Sequence, residues 1–447
     1  MKKIGILIFI IVLIVIGLYP VIQTRKEEGV TLEAPQNQLN GMILKVSENT
    51  VTIRDENNII YTINTTEDNL NVGEHIIIEY EGTLNKNQEK QTIQITSLQK
   101  TEKEHFSTEN NFFGNNYNLA QEKLKTMTLE EKIASLLLVR YPDQNSTEIQ
   151  TQYQFGGYVF FAKDFKNKTK EEVKTMINNL EEVSKIPLLT AVDEEGGTVT
   201  RISSNPLLRK EKFASSQELY QEGGFERIKE DTIEKSKLLK ELGINLNLAP
   251  VVDVTRNPSD YMYQRSFGQN TELTSTYAST VITASQGLGV SYTLKHFPGY
   301  GNNTDTHNEV SVDNRSKESI LEKDLPPFAA GIEAGATSVL VSHNLVSAID
   351  EENIASLSPS IHNLLRNELS FSGIVITDDL AMGAVENTET SCVNAILAGN
   401  DLLIVTDYKT CYNGVNVAVQ KSQIPEELID KLATRVLAWK YSKGLLE

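Results

Sequence analysis

Hydrophobic and polar positions change rhythm along the chain. Residues 4–22 form one apolar run without a charged side chain. Between about 39 and 98, segments rich in Val, Ile, Thr and Tyr cover 42–46, 51–54, 59–63, 75–80 and 91–98. Turn-formers such as Ser47-Glu48-Asn49 and Asn71-Val72-Gly73 separate them, which predicts short β-strands. From about residue 117 the pattern becomes helix alternating with strand. Thr128-Leu129-Glu130-Glu131 and Thr169-Lys170-Glu171-Glu172 each read as a capping box. Each opens a helix with apolar residues at helical spacing, Ile133, Leu136 and Leu137 in the first and Val173, Met176, Ile177 and Leu180 in the second. Between such helices stand short, mainly apolar runs at 136–139, 158–161, 188–192, 246–252, 290–294, 338–342, 374–376 and 402–405. Runs of this kind are strands covered on both faces, as in parallel sheets.

Eight strand–helix units predict a (β/α)8 barrel of the TIM type from 117 to 447, preceded by a small all-β unit of the OB or SH3-like kind over 39–98. No GxGxxG follows a strand, so an open doubly wound sheet is the weaker alternative. Polar stretches at 24–38 and 99–116 read as a tether and a linker. The first 23 residues read as a signal-anchor or transmembrane helix. A helix over 4–22 spans roughly 28 Å, close to the hydrocarbon thickness of a bilayer. Lys2 and Lys3 favour a cytoplasmic N-terminus with the remainder outside the cell. If the segment were instead cleaved, the protein would be secreted.

A formal net charge of −18 argues against nucleic acid as a partner, since phosphate recognition needs a basic footprint. The two cysteines, Cys392 and Cys411, make neither a CxxC nor a zinc-ligand spacing, and a disulfide between them stays open. No cofactor is expected.

The barrel reading makes a chemical prediction, because such barrels place their active sites at the C-terminal ends of the strands. Asp193, Asp253, Lys295 with His296, His343, Asp378 and Asp407 follow six of the eight runs. The densest stretch is Lys295-His296-Phe297-Pro298-Gly299-Tyr300-Gly301, which leads on to Asp305-Thr306-His307. Proton-handling groups thus stand at a strand tip and on the loop beyond it. Side chains alternate along a strand, so only one of Asp378 and Asp379 continues into the pocket. Asp379 reads as the N-cap of the next helix, leaving Asp378 as the candidate nucleophile.

With these residues in view, the chain from Tyr117 onward resembles the family 3 glycoside hydrolases. The resemblance rests on Asp193-Glu194-Glu195-Gly196-Gly197, Ala249-Pro250-Val251-Val252-Asp253-Val254, Arg265-Ser266-Phe267-Gly268, Lys295-His296-Phe297-Pro298-Gly299, Asp305-Thr306-His307 and Thr377-Asp378-Asp379-Leu380. Within the family it is most similar to the single-barrel β-N-acetylglucosaminidases of cell-wall recycling. That resemblance implies Asp378 as nucleophile, His307 as acid/base with Asp305 as its partner, and Asp193, Arg265, Lys295 and His296 as ligands of sugar hydroxyls. It implies a retaining, exo-acting β-N-acetylhexosaminidase acting on amino-sugar glycosides of the cell wall. Tyr300 stands where this subgroup usually has a second histidine.

Other readings remain open. A metal-dependent barrel hydrolase would use His296, His307 and His343 as ligands, but the His-x-His such enzymes commonly carry on the first strand is missing. A β-glucosidase or β-xylosidase of the same family would share these residues, and so would a catalytically weak membrane-tethered wall-binding protein.

Overall fold

The computed structural model describes residues 37–47, 50–55, 60–65, 70, 75–84, 93–100, 112–301, 303, 310–383, 385 and 387–446. The expected membrane segment 1–23 lies outside them. Among the described residues no helix is long and apolar enough to cross a membrane.

The first five strands are β1 (Asn37–Ser47), β2 (Thr50–Asp55), β3 (Ile60–Asn64), β4 (His75–Glu81) and β5 (Gln94–Lys100). They form one antiparallel sheet in the order β3-β2-β1-β4-β5. Ile43, Val51, Ile53, Ile63, Ile76 and Ile78 bury a small core of its own. The expectation is a closed barrel. Among the described residues the outer strands β3 and β5 do not pair with each other.

The second sheet is a ring of eight parallel strands. In chain order these are β6 (Leu137–Arg140), β7 (Gly157–Phe160), β8 (Leu189–Val192), β9 (Leu246–Asn247), β10 (Ser291–Phe297), β12 (Ser338–Val341), β14 (Ile374–Thr377) and β15 (Leu403–Val405). Every apolar run expected to be a strand contributes one. Successive strands pair in sequence order, and β15 returns to β6 through Leu403↔Leu137 and Val405↔Val139. The gap between β14 and β15 is bridged at Ile376↔Leu402. Two short strands, β11 (Val312–Asp313) and β13 (Leu345–Val346), pair with each other outside the ring.

Both predicted capping boxes are present, at Thr128–Glu131 and Thr169–Glu172. The fourth strand is shorter than its apolar run, 246–252, suggests. Pro250 has no N–H to donate, so the regular ladder stops before it. The segment nevertheless stays tied to β10, with Thr293 N–H donating to Ala249 O at 2.9 Å and Val252 N–H to Lys295 O at 2.8 Å.

The last helix, Glu426–Ser442, closes the foot of the barrel. Arg435 Nε donates to Asp401 Oδ1 at 2.5 Å, and Arg366 Nη2 meets the other oxygen of Asp401 at 2.9 Å. Lys440 Nζ donates to the carbonyls of Gly156 and Pro187, each at 2.8 Å, just before β7 and β8. Lys440 thereby gives the Pro187 carbonyl a donor and adds a second one to the Gly156 carbonyl, which also accepts the Leu189 N–H at 3.0 Å. Charged side chains thus lock the foot, and the opposite end is left for chemistry. A disulfide joins Cys392 to Cys411, linking the helices Thr388–Ala398 and Tyr408–Gln420 on either side of β15.

Candidate active site

The third strand, β8, runs out into Asp193, Glu194 and Glu195, and their side chains alternate as the strand geometry dictates. Glu194 turns into the protein and accepts the N–H groups of Arg201 at 2.8 Å and Ile202 at 2.6 Å, which shapes the loop. Asp193 and Glu195 turn the other way and share one partner. Lys295 Nζ, at the end of β10, lies 2.7 Å from Asp193 Oδ1 and 2.7 Å from Glu195 Oε1. The Lys295 side chain is only 2% exposed. A buried ammonium is tolerated only where it is paired, and here two carboxylates pair it.

Glu195 carries the network onward. Arg265, on the loop after β9, donates Nε to Glu195 Oε2 at 3.0 Å and Nη2 to Oε1 at 2.7 Å, a two-pronged contact. Burial pushes the Glu195 carboxyl up, but Arg265 and Lys295 outweigh burial and hold it well below the usual carboxylate range. Burial alone would lower the Lys295 pKa, yet Asp193 and Glu195 raise it above its ordinary value. Lys295, Glu195 and Arg265 are therefore ionised at neutral pH.

His296 is oriented from behind. Its Nδ1 lies 2.7 Å from Asp253 Oδ2, and Asp253 is buried at the end of the fourth strand segment. An ionised carboxylate only accepts, so Nδ1 carries the proton. Nε2 is then turned towards Arg265 Nη2, 3.4 Å away. Tyr300 packs edge-on against the His296 ring at 5.6 Å, and its N–H donates to Asp253 Oδ1 at 2.7 Å. It also forms a small apolar cluster with Val251 and Met262.

Asp378 follows the seventh strand, β14. Burial pushes its carboxyl up, but His343, His296, the Asp379 N–H and Lys295 together hold it below the usual carboxylate range. The Asp379 N–H donates to Asp378 Oδ1 at 2.9 Å, which fixes the rotamer of the carboxylate. His343, after β12, is fully buried. It donates Nε2–H to the Asp379 carbonyl at 3.0 Å and shares a 2.7 Å hydrogen bond between Nδ1 and Ser356. With both ring nitrogens committed to the protein, His343 braces the backbone that carries Asp378. It does not offer itself as a metal ligand.

Two expectations change. Asp379 does not cap the next helix: Asn387 caps Thr388–Ala398. Asp379 instead accepts the Ala381 N–H at 3.0 Å and the Thr406 hydroxyl at 2.8 Å, closing a tight turn just after the strand. Asp407 stands after β15 but is an N-cap, accepting the Thr410 N–H at 3.2 Å.

Asp193, Arg265, Lys295 and His296 thus converge at one mouth of the barrel, and Asp378 lies within their electrostatic reach. Asp305 and His307 lie outside the described residues. Glu195 is a part of the site that the sequence reading does not single out, and Asp253 and His343, flagged there by their places at strand ends, take orienting roles that it does not assign. For Glu195 a signal exists, since a residue two positions beyond Asp193 on an extended segment faces the same side. Asp253 and His343 stand at strand ends, but their work is to orient other groups, and only contacts reveal that. Chemically, the mouth offers fixed donors and acceptors for hydroxyl groups beside a carboxylate that stays ionised.

Comparison with known proteins gives this arrangement its context. The family described as "Glycosyl hydrolase family 3 N terminal domain" matches residues 128–439. A beta-hexosaminidase of Xylella fastidiosa is 30% identical over 289 residues, covering 63% of this chain and 85% of that protein. A beta-hexosaminidase of Xanthomonas campestris pv. campestris is 28% identical over the same length, with coverages of 63% and 86%. The solved structure of a glycoside hydrolase family 3 beta-N-acetylglucosaminidase from a Paenibacillus species superposes with a TM-score of 0.67 at 29% identity, over 72% of this chain and 63% of that one. This chain therefore spans less than two thirds of that longer protein. With its barrel, its ring of strand-end residues and a family match over most of its length, the chain belongs to glycosyl hydrolase family 3 and is a glycoside hydrolase.

Proposed function

We propose that the chain is a retaining, exo-acting β-N-acetylglucosaminidase that releases terminal β-linked N-acetylglucosamine from cell-wall saccharides. The observation that carries this reading is the ion-paired chain Asp193–Lys295–Glu195–Arg265, built around the buried Lys295, beside an ionised Asp378. In it, Asp193, Arg265, Lys295 and His296 hold the hydroxyls of the terminal sugar. Asp378 attacks the anomeric carbon as the bond to the leaving oxygen breaks, forming a glycosyl ester. His307 gives that oxygen a proton, then takes one from the water that cleaves the ester, so that both enzyme groups return to their starting states. An imidazole titrates near pH 6.5, about midway between the two duties, and Asp305 holds its tautomer. Support for the amino sugar comes from the similarity to beta-hexosaminidases and to a beta-N-acetylglucosaminidase.

The test compares nitrophenyl β-N-acetylglucosaminide with the corresponding β-glucoside on the purified protein. The amino sugar is expected to be cleaved at least about tenfold faster by kcat/KM, a difference of ~1.4 kcal/mol in transition-state binding. Faster cleavage of the glucoside would overturn the substrate assignment.

The same reading places the catalytic barrel outside the cytoplasm, held by the expected N-terminal segment. The Cys392–Cys411 disulfide supports it, because such bonds persist in oxidising compartments. The protein should show no reactive thiol when unfolded without reductant. Reduction should lower its unfolding free energy by about 3 kcal/mol, the loop-closure value for a loop near this length. Two free thiols in protein taken from its native compartment would remove this support.

A further inference from the structure

The mouth of the barrel also holds two cations to which the proposed mechanism gives no part. Arg140 ends the first barrel strand, β6, and Phe161 directly follows the second, β7. The Arg140 guanidinium lies over the Phe161 ring, with Cζ 4.3 Å from its centroid. The Arg201 guanidinium stands over the same ring at 5.4 Å. Arg201 in turn places Nη2 3.8 Å from Asp193 Oδ2, while the other oxygen of that carboxylate meets Lys295. A row of contacts, Arg140–Phe161–Arg201–Asp193, therefore runs from the first two strands to the residues that hold the terminal sugar in the proposed mechanism.

Neither guanidinium has spent its donors on the protein. Among the described residues the Arg140 side chain makes no hydrogen bond and no ion pair, although it is only partly exposed. Arg201 makes no side-chain hydrogen bond there either, and its Nε is buried without a partner. The carboxylates nearby are engaged elsewhere. Asp143 pairs with Lys163 at 2.7 Å, Asp164 Oδ2 accepts the Phe161 N–H at 2.7 Å, and Glu194 accepts N–H groups of its own loop. Asp143 and Asp164 lie within electrostatic reach of Arg140 but not at ion-pair distance, and burial pushes the Asp164 carboxyl up, towards its neutral form. Two positive charges on one ring repel each other, and desolvated N–H groups cost free energy until an acceptor meets them. A guanidinium laid over a ring is held in place and keeps its N–H edge, a fork that matches two oxygens of a carboxylate or phosphate.

We propose that Arg140 is a specificity-determining residue that receives an oxyanion carried by the terminal sugar, so that the substrates include terminal amino sugars bearing a phosphate or carboxylate. The proposal rests on the reading of Asp193 as a ligand of that sugar. Arg140 is joined to Asp193 through Phe161 and Arg201, and an anion seated at Arg140 has a second guanidinium on the same ring. Asp193 does not turn such a group away, because its own oxygens already face Lys295 and Arg201. A neutral sugar has no use for the charge at Arg140, since hydroxyls are served by Asp193, Lys295 and His296. The terminal sugar is favoured over the departing one because the row of contacts ends on Asp193 and not on Asp378, beside which the bond breaks.

The experiment measures kcat/KM for nitrophenyl β-N-acetylglucosaminide and for its 6-phosphate. It uses wild type, Arg140→Met and Arg140→Lys, each checked for folding by thermal melting, with Arg140→Gln in place of Arg140→Met if the latter does not fold. Wild type should cleave the phosphorylated glycoside at least as fast as the neutral one. Arg140→Met should lose about 30- to 100-fold on the phosphorylated glycoside, and at least about tenfold less than that on the neutral one. Arg140→Lys keeps the charge but not the fork, and should fall between the two. Rejection of the 6-phosphate by wild type, or equal losses on both glycosides in the folded variant, would overturn the proposal. A second pair carries the anion on the leaving sugar: N,N′-diacetylchitobiose against the disaccharide in which N-acetylmuramic acid replaces the second sugar. Dependence on Arg140 in that pair alone refutes the assignment to the terminal sugar. If no amino-sugar glycoside is cleaved, the reading of the reaction has failed, and calorimetry of N-acetylglucosamine 6-phosphate against N-acetylglucosamine decides on Arg140 separately. Tighter binding of the phosphate by wild type, lost in Arg140→Met, upholds the role of Arg140, and equal binding overturns it.

Discussion

Replacing Asp378 by alanine is expected to lower kcat/KM on every cleavable glycoside by at least about 10³-fold, equivalent to ~4 kcal/mol of lost transition-state stabilisation. The expectation comes from how the chain invests in this one carboxylate. Burial alone would favour its neutral form, yet His343, His296, the Asp379 N–H and Lys295 keep it ionised. The Asp379 N–H also fixes its rotamer, and His343 holds the backbone beneath it through the Asp379 carbonyl. An anion kept both charged and oriented suits attack on an electrophilic carbon. The loss should be the same for good and poor leaving groups, unlike that of His307→Ala, because the nucleophile is needed whatever departs. Retention of more than about a tenth of wild-type turnover by Asp378→Ala would assign the nucleophile elsewhere.

Glu195→Gln is expected to have the second-largest effect, although Glu195 need not touch the reacting bond. Among the described residues, its carboxylate is the one group that forms ion pairs with both Lys295 and Arg265. Without its charge, the buried Lys295 keeps Asp193 as a carboxylate partner and Arg265 loses its two-pronged contact. Breaking a buried pair in this way costs roughly 3–5 kcal/mol, because a desolvated charge is left without its partner. The variant should therefore unfold at lower denaturant concentration and bind the product sugar more weakly. Removing Lys295 as well, in Glu195→Gln/Lys295→Met, should cost clearly less than the sum of the single changes, since each residue's burial depends on the other. Denaturant titration of the four proteins measures that coupling. Additivity within about 0.5 kcal/mol would mean that the two groups do not act as one network.

How much of this was legible in the sequence follows from which forces are local. The eight barrel strands could be read because a strand covered on both faces is apolar at most positions, and short apolar runs between amphipathic helices have few other uses. The capping boxes at Thr128 and Thr169 could be read for the same reason, being complete within four residues. The fourth strand reads too long in the sequence because its apolar content masks the break at Pro250. Asp379 reads as a helix cap because the sequence does not show that a turn intervenes before Asn387. Glu195, Asp253 and His343 act through partners distant in sequence, namely Arg265 and Lys295 for the first, His296 for the second, and Ser356 and Asp379 for the third. Such roles are properties of a contact, and a linear pattern carries no record of them. Asp193, Lys295 and His296 stand out in the sequence because strand ends and family motifs point to the same positions, whereas Arg265 stands out through the motif alone.

The seam of the barrel has a consequence for how the protein is made. The ring is completed only when β15 pairs with β6, joining the last strand of the barrel to the first. Neighbouring strands can associate as they emerge from the ribosome, but β6 keeps one unpaired edge until Leu403–Val405 has been synthesised. Closure is thus a late, long-range event, and contacts of that kind form slowly because the intervening chain must be ordered first. Until then an apolar edge stays open to wrong partners.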